Sequence, residues 1–398
     1  MKKKFVHICE EFEYTWIGKD NGMLPIYAYE ILGYDSEIVT CNLKRDLPDE
    51  IRGVKIVKIS RWFKNMKKFA SWVMFLKRIP LYFYILKNAK KIDILMLFHI
   101  TKCSYWNAFF YKKLNPNGKI YVKADFNLKV YNKEIERILM KPKTLREFFR
   151  KRKETKEYAK RKKLITMIDL ISYETEEAFK IMKDEYAGIS TIGKTIYMPN
   201  GYDNLFIEKN FKIKEFQEKE NIFLTVGRLG TKEKNTEFLL KILEQVELKD
   251  WKFYFIGSIE NNFQKKIDDF FKKYPEKKKQ VIFTGEIKEK KQLNEYYNCS
   301  KVFVLPSLWE SFGIVMVEAM AFNNYILTSN TCAAKDITND ESVGEIFSID
   351  NLKDLKDKLT NIIIEKVDLK EKEKFTQEHK YKFKYEKLII KIKMLGDI

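Results

Sequence analysis

The chain has 398 residues, more than one hydrophobic core usually fills, so two domains of roughly 200 residues are expected. A hydrophobic content of 45% with 15% aromatics excludes a disordered chain, and only eight prolines with fifteen glycines exclude collagen-like or linker-like low complexity. The net charge of +20 is one-sided: residues 1–200 carry +18 and residues 201–398 carry +2, which points the first half toward a polyanion, either an anionic membrane surface or nucleic acid. Lysine drift in an AT-biased genome is the plainer source of part of that excess. Five scattered cysteines (Cys9, Cys41, Cys103, Cys299, Cys332), odd in number and never in a C-x-x-C pair, argue against a disulfide framework or a zinc site and fit a reducing cytoplasm.

Taken in order, residues 1–4 are basic, but the apolar run 5–9 is short and meets Glu10, Glu11 and Glu13, so no export signal is expected. The greasiest stretch, 69–86, is broken by Lys77, Arg78 and Pro80, which leaves a soluble or peripheral chain. Strand-like runs stand at 5–9, 37–41, 54–59, 92–98, 120–122, 170–173 and 196–198, then at 222–226, 251–256, 281–284, 302–305, 325–328 and 346–349. Amphipathic helical patterns such as 236–246 and 288–298 separate them. Strand and helix in alternation predict parallel sheets wrapped by helices. The turn signal Pro199-Asn200-Gly201 and the charged, weakly patterned segment 202–220 mark the boundary between two doubly wound domains with a cleft between them.

Two segments break this rhythm. Residues 61–91 hold nine basic and no acidic residues, interleaved with Trp62, Phe63, Phe69, Trp72, Phe75, Tyr82, Phe83 and Tyr84. That composition suits a helix pair lying in a lipid interface, and equally a helix pair covering the sheet. Residues 141–163 carry twelve basic and three acidic residues, with almost no apolar face beyond Leu145, Phe148 and Phe149, and read as a solvated or phosphate-facing helix.

The strongest chemical signal is Val304-Leu305-Pro306-Ser307-Leu308-Trp309-Glu310-Ser311-Phe312-Gly313-Ile314-Val315-Met316-Val317-Glu318-Ala319-Met320. It reads as a buried strand, a Pro-Ser turn and a helix opening near 311–314, whose unpaired amides and positive dipole end would hold a diphosphate. Gly313 lets a phosphate approach the backbone. Glu318, about one turn inside, could accept both hydroxyls of a ribose, and Glu310, just before the helix, could face a sugar beyond the phosphates. Two acids at a helix start are also favoured by the dipole alone.

These residues resemble the retaining glycosyltransferases of family 4, which have the GT-B fold. Glu310 and Glu318 match the family's E-x7-E motif. Val226-Gly227-Arg228-Leu229 followed by Lys234-Asn235 is similar to the strand-end element whose arginine and lysine clamp the donor diphosphate, with one extra residue of spacing. Asp20-Asn21-Gly22-Met23-Leu24-Pro25 stands where the family has its glycine-bearing first loop, and Asn200-Gly201-Tyr202-Asp203 matches its Asn-Gly-x-Asp hinge. The chain departs from the family in Phe322-Asn323-Asn324-Tyr325, where Cys-Gly-x-Pro is common; asparagine tolerates the left-handed conformation, which would preserve the turn. It departs again in Thr331-Cys332-Ala333-Ala334, which lacks the usual glycine pair, and in Lys123-Ala124-Asp125, where many members have a histidine.

The resemblance implies a GT-B α/β fold of two doubly wound, Rossmann-like domains facing each other across a cleft: an acceptor-binding domain 1–203, a nucleotide-sugar-binding domain 204–378, and a C-terminal helix 379–398 returning to the first. It implies transfer of a sugar from a nucleotide-diphosphate sugar, a UDP-sugar or else a GDP-sugar, to a glycan or lipid-linked acceptor with retained anomeric configuration, in surface polysaccharide or glycolipid synthesis. The catalytic set is Glu310, Arg228 and Lys234, joined by Asp125, which at the place of the family's histidine either orients the acceptor or the donor sugar or is a solvated strand-end acid. The donor-binding set is Gly22, Gly227, Arg228, Lys234, Ser311, Phe312, Gly313, Ile314 and Glu318. His99 ends the strand before Asp125 and either lines the same cleft or is structural. No cofactor or metal is expected, since no D-x-D doublet is visible and His7, His99 and His379 are far apart in sequence. A cytoplasmic enzyme, peripheral on the inner face of the membrane, is the resulting expectation. A catalytically silent partner subunit and a nucleotide-sugar epimerase of the same fold are the alternatives; a nucleic-acid partner is disfavoured because no helix-turn-helix, zinc or RNP-like element accompanies the charge.

Overall fold

The computed structural model describes residues 2–44, 46–60, 76, 78–125, 128–331 and 333–396. The chain forms two compact units, one of Met1–Pro199 with Tyr385–Ile398 and one of Asn200–Lys384.

The first unit is built on β1 (Lys4–Ile8), β2 (Asp35–Thr40), β3 (Glu50–Ile51), β4 (Val54–Lys58), β5 (Ile94–Phe98), β6 (Lys119–Ala124), β7 (Leu170–Tyr173), a small antiparallel hairpin of β8 (Glu185–Tyr186) and β9 (Ile189–Ser190), and β10 (Thr195–Tyr197). Its main sheet runs β10-β7-β6-β5-β1-β2-β4-β3, parallel throughout except for the β3–β4 pair. β5 reads ILMLF and is almost wholly buried, as a strand covered on both faces must be. Leu95, Leu97, Ile120, Val122, Ile171 and Tyr173 pack with the helix Lys102–Leu114 in one core.

The second unit contains β11 (Glu220–Val226), β12 (Lys252–Ile256), β13 (Val281–Gly285), β14 (Ser300–Leu305), β15 (Tyr325–Ser329) and β16 (Gly344–Phe347), ordered β13-β12-β11-β14-β15-β16 and parallel throughout. Alternate residues feed two cores: Phe223, Phe253, Phe255, Val302 and Val304 lie on one face, and Leu224, Val226, Ile256, Phe303 and Leu305 on the other. Each such side chain contributes about 1.5–3 kcal/mol when fully buried. In this order β11 pairs with β12 on one side and β14 on the other, so the chain reverses its winding between β11 and β14 and leaves a crevice at their carboxyl ends.

Three sequence expectations change. The last strand lies at Gly344–Phe347 rather than 346–349, because Ile346 and Phe347 pair with Thr328 and Ser329 in a register that begins at Gly344. The segment 202–220 is not featureless: Asp203 accepts from the Phe206 amide and starts the helix Asn204–Asn210. Of 61–91, residues 61–75 and 77 lie outside the described residues, while the remainder includes the helix Ile79–Asn88, which buries Leu81, Tyr82 and Ile85 and packs Tyr82 on Phe110 with ring centroids 5.0 Å apart. That portion covers the sheet, and Arg78 is paired with Glu10 at 2.7 Å.

A buried ion pair fixes the helix that follows β1. Lys123, fully buried in β6, places Nζ 3.1 Å from Asp20 Oδ2 and donates to the Met198 carbonyl at 2.6 Å. Asp20 opens the helix Asp20–Glu30 and also accepts from the Tyr385 hydroxyl. Removing one member of such a pair strands a charge in low dielectric, at a cost of about 3–5 kcal/mol. Asp20→Ala is therefore expected to lower the unfolding free energy of this unit by that amount in urea titration, and Asp20→Ala/Lys123→Met to recover most of it. A single variant costing under about 1 kcal/mol would contradict the buried-pair account.

Candidate functional site

The crevice between β11 and β14 is bounded by the loops that leave those strands, and hydrogen bonds tie the loops together. The Leu308 amide donates to the Glu233 carbonyl at 2.8 Å, and Asn235 Nδ2 donates to the Pro306 carbonyl at 3.2 Å. Asn235, left-handed at φ 48°, then caps the helix Thr236–Leu243. This turn brings Lys234 onto Glu310 as an ion pair whose side chains are only 18% and 14% exposed, and Ser307 Oγ donates to the same Glu310 oxygen at 2.8 Å. The Lys234 stem runs beside Gly227. Arg228 is not part of that pair: its guanidinium is 64% exposed and engages Glu233 on its own loop. The Glu233 carboxyl is held below its usual range first by its own backbone amide, and further by Arg228 against the opposing effect of burial.

Beyond Glu310 the chain passes half-buried Ser311 and buried Phe312 to Gly313, whose φ of 84° is a left-handed value that favours glycine. A Cβ there would also lie 2.6 Å from Met316 Cε. The helix Ile314–Ala321 starts at this point: the Met316 amide turns back onto the Gly313 carbonyl at 2.9 Å, while the Ile314 and Val315 amides precede any i−4 acceptor of the helix and form its positive end beside the Lys234–Glu310 pair. Half-buried Ile314 begins the helix, and Glu318, its fifth residue, accepts from the Tyr297 hydroxyl at 3.4 Å.

The other end of this helix holds residues that sequence reasoning missed. Lys219, buried, donates to the Phe322 carbonyl at 2.5 Å, and Lys380 donates to the Ala321 carbonyl at 3.0 Å and to Asn323 Oδ1. Asn323, at φ 61°, makes the left-handed turn that asparagine was expected to allow and donates to Glu373 at 3.2 Å. Two cations on the final carbonyls complement the dipole whose positive end faces the crevice. Lysines at positions 219 and 380 read as surface residues in a chain this basic; the only sequence signal was Asn323 in the turn.

The first unit gathers a separate group. His99 follows β5 at φ 62°, its amide donating to the Lys123 carbonyl at 2.9 Å and its carbonyl accepting from Ser104 Oγ at 2.7 Å. Burial pushes its imidazole below the usual value, and the neighbouring Asp125 carboxylate, half-buried at the end of β6, opposes that shift. Gly22 lies in the first turn of Asp20–Glu30, where a Cβ would come within 2.3 Å of the Ile17 carbonyl oxygen. His7 beneath it is held neutral by burial, at about 4, between Asn21 and the Met96 carbonyl. Cys332 of the 331–334 loop lies outside the described residues.

Residues 206–382 match the family model for glycosyl transferases group 1. The chain is 26% identical over 152 residues to an uncharacterized 41.2 kDa protein in the cps region of Klebsiella pneumoniae, a match covering 38% of this chain and 39% of that protein. It is 33% identical over 112 residues to the amylovoran biosynthesis glycosyltransferase AmsD of Erwinia amylovora, covering 28% of this chain and 29% of the relative. The matches thus span under two fifths of these relatives' lengths. Anabaena HepE in complex with UDP superposes with a TM-score of 0.68 at 14% identity over 100% of both chains, a likeness of fold. The architecture is GT-B.

Burial pushes the Lys219 ammonium from 10.5 down to about 7, with Glu373 opposing and Lys380 adding to the shift; Cys299 and Lys301 act more weakly. Lys380 is pushed down to about 8, first by burial and then by Lys384. The unfolded chain binds these protons more tightly, so stability rises with pH above about 7. The melting temperature is expected to climb between pH 7 and pH 9 in the wild type and to climb less steeply in Lys219→Met, where only the Lys380 contribution remains. A Lys219→Met profile parallel to wild type would contradict this linkage.

Proposed function

We propose, on the premise that residues 206–382 are a glycosyl transferases group 1 domain, that the chain transfers a sugar from a nucleoside-diphosphate sugar to a glycan or lipid-linked acceptor with retention of anomeric configuration. The observation that carries this reading is the Lys234–Glu310 pair at the switch point, set beside the helix start at Gly313, whose Ile314 and Val315 amides have no i−4 acceptor in the helix. A cation and a helix start converging at the carboxyl ends of neighbouring parallel strands make a diphosphate site that needs no basic surface around it.

In this reading the helix amides and Lys234 hold the diphosphate, and Arg228, open to solvent, turns from Glu233 to the distal phosphate oxygens. As the anomeric C–O bond breaks, its electron pair goes to the leaving phosphate, and both cations offset the charge that grows there. The phosphate oxygen then takes the acceptor hydroxyl's proton on the face where the acceptor attacks. Glu318 receives the ribose hydroxyls and Glu310 the sugar. Gly22 is assigned to donor binding, and Asp125 with His99 to orienting the acceptor or the donor sugar. UDP is the nucleotide favoured, since HepE, of the same fold, was solved with UDP. Biosynthesis of a surface polysaccharide or glycolipid is favoured by the amylovoran biosynthesis role of the Erwinia relative. A place on the cytoplasmic face of the membrane is supported by the +18 charge of residues 1–200, and no described helix is long and apolar enough to cross a bilayer.

Turnover measured by nucleoside diphosphate release is expected to fall on the order of a hundredfold in Lys234→Ala and in Arg228→Ala, the scale for losing one transition-state donor. Unchanged turnover in both would overturn the donor-site assignment. Chelator is expected to leave the rate nearly intact.

The two glutamates should separate in calorimetry. Glu318→Ala is expected to weaken binding of free UDP. Glu310→Ala removes the partner that Lys234 now holds, so UDP should bind at least as tightly while turnover falls. Equal UDP affinity in wild type and Glu318→Ala would refute the ribose role.

A further inference from the structure

The helix Leu145–Met167 is anchored at one end only. Leu164 and Ile165 are fully buried in the core of the first unit, whereas every residue from 139 to 150 is exposed. At 1.5 Å per residue, Leu145 stands roughly 28 Å along the helix axis from Leu164. The helix is an arm, and its tip is the turn that joins it to the preceding helix, Leu128–Leu139.

That tip is apolar where solvent exposure should make it polar. Leu139 is 75% exposed, Met140 62%, Leu145 78%, Phe148 48% and Phe149 64%. Leu145, Phe148 and Phe149 are spaced i, i+3, i+4 and share one helix face, and the two phenylalanine rings pack edge to face with centroids 5.7 Å apart. Five large exposed apolar side chains in eleven residues are a patch, not scattered surface residues. Around them, residues 139–156 carry eight basic and two acidic side chains. Both acids are occupied locally: Glu147 closes a capping box with Thr144, and Glu154 takes Arg150 at 3.1 Å and Arg137 at 3.5 Å. Lys151 donates to the Met140 carbonyl at 2.8 Å, so the turn is bound to its own helix and the patch is held in shape.

We propose that this tip is a membrane-docking surface for anionic phospholipid, with Leu145, Phe148 and Phe149 inserting among the acyl chains and the collar of Lys141, Lys143, Arg146 and Lys153 on the phosphates. The charge argues for that occupant: a neutral protein groove offers nothing to so dense a set of cations, whereas an anionic bilayer matches both the apolar face and the collar. Long lysine and arginine stems let the heads stay in the headgroup layer while the rings sit deeper. The proposal rests on the peripheral-membrane reading given above and assigns it to the tip, a different segment from the basic aromatic stretch 61–91.

The deciding experiment is co-sedimentation of the full chain with vesicles of phosphatidylcholine alone and of phosphatidylcholine with phosphatidylglycerol, at low salt and at roughly 1 M salt, where the Debye length falls to about 3 Å. Wild type is expected to sediment only with the anionic vesicles and to retain a salt-resistant fraction. Leu145→Ser/Phe148→Ser/Phe149→Ser should lose that fraction. Lys141→Gln/Lys143→Gln/Arg146→Gln/Lys153→Gln should lower low-salt partitioning at least tenfold. All seven side chains are exposed, so both variants should melt with the wild type, which separates lost docking from lost folding. If wild type sediments and both variants sediment equally well, the tip is overturned and the membrane reading stands on another surface. If wild type binds neither vesicle, the membrane reading falls and the tip with it. If the apolar variant changes only the oligomeric state in sedimentation velocity, the patch is a face between copies of the chain and the proposal is overturned.

Discussion

The reversal of winding between β11 and β14 is the constraint on which the second unit's chemistry depends. A parallel sheet covered on both faces has no free surface for a ligand except at its strand ends, and neighbouring strand-end loops usually cover each other there. Where the winding reverses, the loops diverge and leave a gap. Here the loops carry Lys234 and Glu310, which meet across that gap with Ser307 on the same carboxylate. A partly buried ion pair of this kind has little net value for stability, because desolvation offsets most of its attraction. In the proposed function its value lies elsewhere: it holds a largely buried ammonium at the strand ends, where an incoming anion of higher charge would compete with Glu310 for it.

The helix Ile314–Ala321 works with that pair because both of its ends are specified. Gly313 opens it in a conformation that other residues adopt only under strain, at the point where the chain leaves Glu310. Lys219 and Lys380 complete the carbonyls at the far end. Neither lysine reaches the crevice through its own contacts, yet each donates to carbonyls where the dipole is negative, as a cation only below about pH 7 for Lys219 and about pH 8 for Lys380. The burial that lowers their proton affinity is the cost of that arrangement, and it makes the stability of the unit depend on pH in the direction that favours mildly alkaline conditions.

How much of this was legible in the sequence follows from burial. The thirteen strand runs could be read because parallel strands covered on both faces are continuously apolar, as in the ILMLF of β5. Glu50–Ile51 and the Glu185–Tyr186, Ile189–Ser190 hairpin were missed because two residues carry no periodicity. The helix Asn204–Asn210 was hidden in a charged stretch because its start depends on one cap, Asp203. The Glu310 and Glu318 spacing was legible as a pattern, but the distinct partners of Arg228 and Lys234 were not, since Glu233 is silent in sequence. Least legible were the buried cations. Lys123 and Lys219 look like two more lysines among many, and only partners distant in sequence, Asp20 and the Phe322 carbonyl, make them interior residues.

Under the proposed function, charge is divided along the chain in a way that matches two different anion problems. A single diphosphate needs a few donors in fixed positions, because its charge is concentrated and its geometry defined; helix amides and two placed cations suffice, and net charge is immaterial. Residues 201–398 carry a net charge of only +2. A surface of many phosphates in no fixed arrangement offers no geometry to match, so attraction to it grows with the number of cations brought near, each adding about 1 kcal/mol. Residues 1–200 carry +18, and their densest described stretch rings an apolar helix tip instead of lining a pocket. An even spread of those cations over the chain would solve neither problem. Attraction to a surface would weaken, and the crevice would be surrounded by lysines competing with Lys234 for the phosphate that the proposal places there.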